Sequence, residues 1–114
     1  MSQQTKNLEE DLCKIYLRIK YLAKEKKVNL ISILEKHRAK KVLSNRYVIM
    51  LSSTYDTETM GLTFYTDIDL IRVENYGNPF ISIPLGKYES YLDKAREILT
   101  SIERTIPLKK TRNR

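Results

Sequence analysis

The sequence predicts an α+β protein of two layers: two N-terminal helices, a four-stranded antiparallel meander and a long C-terminal helix. Three observations carry this. Apolar side chains recur at steps of three and four over residues 8–34 and 87–105, the helical period. Residues 46–84 instead alternate β-branched and aromatic residues with polar ones, the period of a strand. The polar stretches between these runs are too short for crossovers, so neighbouring strands must run antiparallel. At 114 residues and 41% apolar content the chain suits one core. We expect a single domain over residues 1–106 and a flexible basic tail over 107–114.

Asn7 followed by Glu10 has the spacing of an N-cap and its capping-box partner, so the first helix is expected to start there. Leu8, Leu12, Ile15, Ile19 and Leu22 then form one stripe, with Lys14, Arg18, Lys20 and Lys24 largely outside it. After a Lys-rich break, Asn29 is expected to cap a second helix through Leu30, Ile31, Ile33 and Leu34. That helix is expected to end in His37, Arg38, Ala39, Lys40 and Lys41, cations that suit the negative end of the helix dipole. Strands are expected at 46–53, 61–67, 69–76 and 80–84. A polar loop at 54–59, the Asp67-Ile68-Asp69 corner and the Tyr76-Gly77-Asn78-Pro79 turn join them. The last helix, 87–105, presents Tyr88, Tyr91, Leu92, Ala95, Ile98, Leu99 and Ile102 on one face and is stopped by Pro107.

Helices on both sides of the meander in sequence are expected to cover one sheet face and leave the other open. Ile71, Val73, Ile81 and Ile83 belong on the covered face with Leu62 and Phe64. Leu70, Arg72, Glu74, Tyr76, Phe80 and Ser82 belong on the opposite one with Tyr65. The first predicted strand is apolar on both sides, Tyr47, Ile49 and Leu51 against Val48 and Met50. It suits a central position or an oligomer interface.

Charge is segregated along the chain. Residues 1–45 carry eleven Lys/Arg against five acids, residues 46–86 two against five, and residues 87–114 eight against four, within a net charge of +7. Between Arg18 and Lys41 only Glu25 and Glu35 offer local neutralisation. A concentrated basic surface attracts polyanions through counterion release. Tyrosine and phenylalanine rings on an open sheet face supply stacking for unpaired bases. The expected contacts to nucleic acid are Lys14, Arg18, Lys24 and Lys27 of the first helix and Arg38, Lys40 and Lys41 after the second. Arg46, Tyr65, Arg72, Tyr76 and Phe80 of the meander and Lys109, Lys110 and Arg112 of the tail complete the set.

Other classes find little material. Cys13 is the sole cysteine, so no intramolecular disulfide exists, and with no His beside it a small buried hydrophobe is expected. His37 is the sole histidine, which leaves no His-rich zinc site or His-based relay within one chain. Asp67, Asp69 and Glu74 alternate faces and lack the Lys or His of a recognisable metal-dependent nuclease. No catalytic residue, metal or cofactor is expected. No apolar run approaches the roughly 20 residues of a membrane span, and residues 1–10 are not signal-like, so a cytoplasmic protein is expected. Three Gly and three Pro among abundant Lys, Glu, Ile and Leu form an archaeal or viral-like composition suited to a hot environment.

Phe80-Ile81-Ser82-Ile83-Pro84-Leu85 running into Lys87-Tyr88-Glu89-Ser90-Tyr91-Leu92, after a meander, resembles the positive-cofactor and Whirly type of single-stranded-DNA-binding domain. The helical region before it is similar to archaeal ThermoDBP-related proteins. The resemblance implies a homodimer that binds single strands on its sheet, with Tyr65, Arg72, Tyr76 and Phe80 in compatible positions. This meander departs from the pattern in being net negative. Two other classes compete with that expectation. One is an assembly module that buries the first helix and first strand against its own copy or a protein partner. The other is a winged-helix-like regulator built on the helices flanking Lys26-Lys27-Val28-Asn29.

Overall fold

Helix formation begins earlier than the Asn7 cap implies. In the computed structural model, which describes residues 3–52, 59–80 and 82–106, α1 spans Gln3–Glu25. Asn7 is therefore an exposed interior residue, not a cap. An exposed Asn costs a helix only about 0.7 kcal/mol relative to Ala, too little to fix the start. Leu12, Ile15, Tyr16, Ile19 and Ala23 form the buried stripe, flanked by the part-buried Leu8 and Leu22. The helix closes when Val28 N–H donates to the Ala23 carbonyl at 2.8 Å, with Lys27 in the left-handed region at φ 58°.

Asn29 caps α2 (Leu30–Lys36) as expected: its Oδ1 accepts the Ser32 N–H at 3.1 Å. The end of α2 is different from the expected one. His37 is the C-cap, Arg38 turns left-handed at φ 71°, and Ala39 N–H donates back to the Leu34 carbonyl at 3.0 Å. Two residues read as the tail of this helix, Lys40 and Lys41, instead open β1 (Lys40–Leu43). Ser44-Asn45 turns the chain directly into β2 (Arg46–Met50), and the ladder carries a bulge between Lys41 and Leu43. β3 (Met60–Tyr65) and β4 (Leu70–Asn75) complete an antiparallel meander of order β1-β2-β3-β4.

The meander thus has four strands, but the expected strand 80–84 is not among them. Phe80 lies in a turn, residues 82–84 have no regular structure, and Ile81 is outside the described residues. Pro79 and Pro84 offer no N–H to a ladder, and Pro84 is the N-cap of α3 (Leu85–Thr105). Of the described residues that carry the family resemblance, Phe80 and residues 82–84 precede this helix, and Leu85 and residues 87–92 form its first turns. Within α3, Tyr91, Leu92, Ala95, Leu99 and Ile102 are buried.

α1 and α3 pack side by side on one face of the sheet. Two cross-strand rows receive them, Tyr47–Phe64–Ile71 and Ile49–Leu62–Val73. The Tyr16 and Phe64 rings meet at 5.6 Å between centroids, tilted by 56°. This settles the two-sided strand: Tyr47, Ile49 and Leu51 enter the core, and Val48 and Met50 face away. Cys13 is half-buried rather than buried, its Sγ 4.0 Å from the Ile71 carbonyl. Among the described residues, no helix is long and apolar enough to cross a membrane.

Candidate functional site

The sheet face turned away from the helices carries three further rows. They are Arg46–Tyr65–Leu70, Lys40–Val48–Thr63–Arg72 and Met50–Gly61–Glu74. No described helix lies on this face, yet Thr63 is fully buried and Val48 is 6% exposed. Tyr76 contributes to the cover. Tyr76 follows the end of β4, where its N–H donates to the Thr59 carbonyl at 2.7 Å, and its ring folds back against Gly61. A Cβ at Gly61 would stand 2.7 Å from Val48 Cγ1 and 3.1 and 3.2 Å from two ring carbons of Tyr76, so only glycine admits this arrangement.

A chain of polar contacts holds the ring in place. Tyr76 O–H donates to Glu74 Oε1 at 3.1 Å and shares a short hydrogen bond with the Thr63 hydroxyl. Tyr65 O–H donates to Glu74 Oε2 at 2.6 Å, and the Arg46 guanidinium carbon lies 4.6 Å from the Tyr65 ring centroid. Arg46 Nε is buried there without a hydrogen-bond partner among the described residues. Burial opposes the charge on Glu74, but the hydrogen bond from Tyr65, the nearby Thr63 hydroxyl, the hydrogen bond from Tyr76 and the nearby Arg72 outweigh it, so the carboxyl is held below its usual range. Tyr65 is raised, first by its hydrogen bond to Glu74, and Tyr76 first by burial. At neutral pH both phenols are donors and Glu74 is an anion.

On the β1 side the face opens into a shallow cleft of about 400 Å³, lined by Arg38, Lys40, Val42, Val48, Met50 and Tyr76. Arg38 arrives there from its left-handed position, and Lys40 from the first residue of β1. The face therefore carries Arg38 and Lys40 beside Tyr76 at the β1 side, Arg46 over Tyr65, and Arg72 near Glu74 at the β4 edge. Its amphiphilic character is clear, since Val42 and Met50 are 48% and 45% exposed within it.

The remaining expected residues lie elsewhere. Lys14, Arg18, Lys24 and Lys27 belong to α1 and its end, in the layer behind the sheet. Arg18 forms a fork with Glu103 of α3, Nε to Oε2 at 3.0 Å and Nη2 to Oε1 at 3.2 Å. Its neighbour Lys20 pairs with Asp69 in the β3–β4 turn. Lys14 instead lines a cleft of about 610 Å³ between α1, β4 and α3, which Arg72 and Glu74 also border from the β4 edge and where Tyr88 O–H donates to Glu9 Oε2 at 2.7 Å. Lys41 pairs with Tyr47, so the pleat directs it to the helix-covered side. Phe80 is 91% exposed in the turn after β4, not on the sheet. Lys109, Lys110 and Arg112 lie outside the described residues.

Sequence reasoning missed Val42, Gly61 and Thr63 as parts of this face. A signal existed for Gly61, the one glycine inside a run of strand-forming residues. Among the described residues no group of three His, Cys, Asp or Glu could hold a metal ion. Compared with protein-family models, curated proteins and solved structures, the chain matches none.

Proposed function

We propose that this protein binds single-stranded nucleic acid, without catalysing a reaction, on the open face of its sheet. The observation that carries the reading is that Arg38, Lys40, Arg46 and Arg72 share with the Tyr65 and Tyr76 rings a face that bears no described helix. Arg38 and Lys40 suit phosphates along the β1 side. The Tyr76 ring, 44% exposed, suits a stacked base, and the Arg46 guanidinium over Tyr65 offers a second flat surface. Stacking on aromatic groups contributes about 1–3 kcal/mol per base, and it requires bases that are already unpaired. This face offers no described helix to a duplex major groove, which separates this reading from a winged-helix one. The α1 cations supply background attraction rather than contacts.

Fluorescence titration against single- and double-stranded DNA and RNA oligomers at two salt concentrations tests the reading. Salt-sensitive binding that favours single strands is expected; the absence of salt-sensitive binding to any of them ends it. A second reading, self-assembly, is favoured by the outer edge of β1, where Val42 and Leu43 are 48% and 53% exposed. A homodimer joined edge to edge would pair those backbones. Light scattering separates the two: a stable dimer with no affinity for nucleic acid would support assembly alone.

A further inference from the structure

We infer that Glu74 reads base edges on this face and selects bases that present N–H donors side by side, guanine foremost. The inference rests on the single-strand reading above and adds to it the class of base that the face prefers. Glu74 is a carboxylate beside Arg72 at the β4 edge, on the same face as Arg46 and with the Arg38 and Lys40 cations at the opposite, β1 edge. Its two oxygens are held from both ends, Oε2 by Tyr65 O–H at 2.6 Å and Oε1 by Tyr76 O–H at 3.1 Å. The carboxylate plane is thereby fixed before any ligand arrives.

An ionised carboxylate has about four lone-pair sites, and the two phenols use two of them. One acceptor site remains on each oxygen of a half-buried side chain that still reaches solvent. Two acceptors side by side match two donors side by side, as a carboxylate matches the fork of an arginine. Guanine presents such a pair in N1–H and its exocyclic N2–H. Cytosine and adenine present one amino group beside an acceptor nitrogen. Thymine and uracil place their single N3–H between two carbonyl oxygens, which the carboxylate repels. Phosphates are repelled as well, and Lys40 stands three strands away, about 14 Å at the usual spacing. Backbone and base edge therefore fall to different groups, with the Tyr76 ring between them.

The test uses the full chain and 15-mer oligodeoxynucleotides at one low salt concentration: thymine only, thymine with isolated guanines, and the same sequence with inosine at each guanine. Inosine keeps N1–H and lacks the exocyclic amino group. The guanine probe is expected to bind about tenfold more tightly than the thymine probe, the discrimination typical of a two-bond contact to a base. Inosine is expected between them. Glu74→Gln, which has one acceptor where Glu has two, is expected to bind all three within about twofold of one another, with thymine binding unchanged or stronger. Equal binding of the three probes by the wild type overturns the inference and leaves the single-strand reading intact. Equal losses on all three probes in Glu74→Gln also overturn it, because they mean that Glu74 only supports the tyrosines. If the wild type binds none of them, the single-strand reading itself fails and this inference falls with it. The inosine comparison needs no variant, so the result stands even if Glu74→Gln folds poorly.

Discussion

The two faces of the sheet exclude water by different means. On the inner face two helices cover the Tyr47–Phe64–Ile71 and Ile49–Leu62–Val73 rows, and burial is the work of many side chains from distant sequence. On the outer face no described helix lies over Val48 and Thr63, and the Tyr76 ring packs into the space left by the missing Cβ of Gly61. The first arrangement spreads its stability over a whole core. The second relies in part on one ring and its hydrogen bonds, and leaves cations and flat groups on the same face exposed. A surface closed in this way can be ordered without being occupied, which is what a binding face requires.

Substitutions can break this contrast, beginning with the largest effect. Phe64→Ala removes a fully buried ring from the inner face and is expected to cost about 3–5 kcal/mol, read by chemical denaturation. Gly61→Ala forces a Cβ to within 2.7 Å of Val48 Cγ1 and displaces the Tyr76 ring. It is expected to cost about 1–3 kcal/mol and to weaken nucleic-acid binding as well, whereas an inner-face change that leaves the protein folded weakens only stability. The charge reversal Arg38→Glu with Lys40→Glu should leave the melting temperature nearly unchanged. It should lower the slope of log affinity against log salt by about 1.4, two phosphate contacts at about 0.7 each.

Smaller effects sharpen the comparison. Tyr76→Phe keeps the ring and deletes the hydroxyl that meets Thr63 and Glu74. We expect about 1 kcal/mol of destabilisation, with affinity for thymine oligomers within about twofold of wild type. Lys24→Glu with Lys27→Glu alters two α1 cations in the layer behind the sheet. Stability should stay within about 0.5 kcal/mol. At physiological salt, where screening acts over about 8 Å, affinity should change less than for the Arg38 and Lys40 pair. A larger loss from the α1 pair would place the contacts on the helical layer instead.

Much of the architecture was legible. Period-three-and-four stripes located α1 and α3, Asn29 announced α2, and the period of two counted out from Ile71 and Val73 put Tyr65, Arg72 and Tyr76 on one side. What failed did so for identifiable reasons. Lys40 and Lys41 suit a helix C-terminus as well as an edge strand, and the left-handed turn at Arg38 that decides between them sits on a residue with no glycine to announce it. Alternation of Ile81 and Ile83 imitates a strand, but Pro79 and Pro84 deny it a ladder. The charge of α1 was countable from the sequence, but its partners were not, since counting carries no direction. Arg18 and Lys20 find their acids 85 and 49 residues away, at Glu103 and Asp69, beyond the reach of any i,i+4 rule.

Arg38 sits on a short joint with little slack. On one side Ile33 and Leu34 of α2 are locked in the core; on the other, Lys40 is already paired in the sheet. Between them, His37 Nε2 lies 3.2 Å from the Thr105 hydroxyl, which itself donates to the Ile102 carbonyl, and that fastens the joint to the far end of α3. The anchor point of the guanidinium is thus clamped before anything docks. Much of the ordering entropy at this corner has been spent during folding, so an anion arriving there meets a bracket rather than a loose arm.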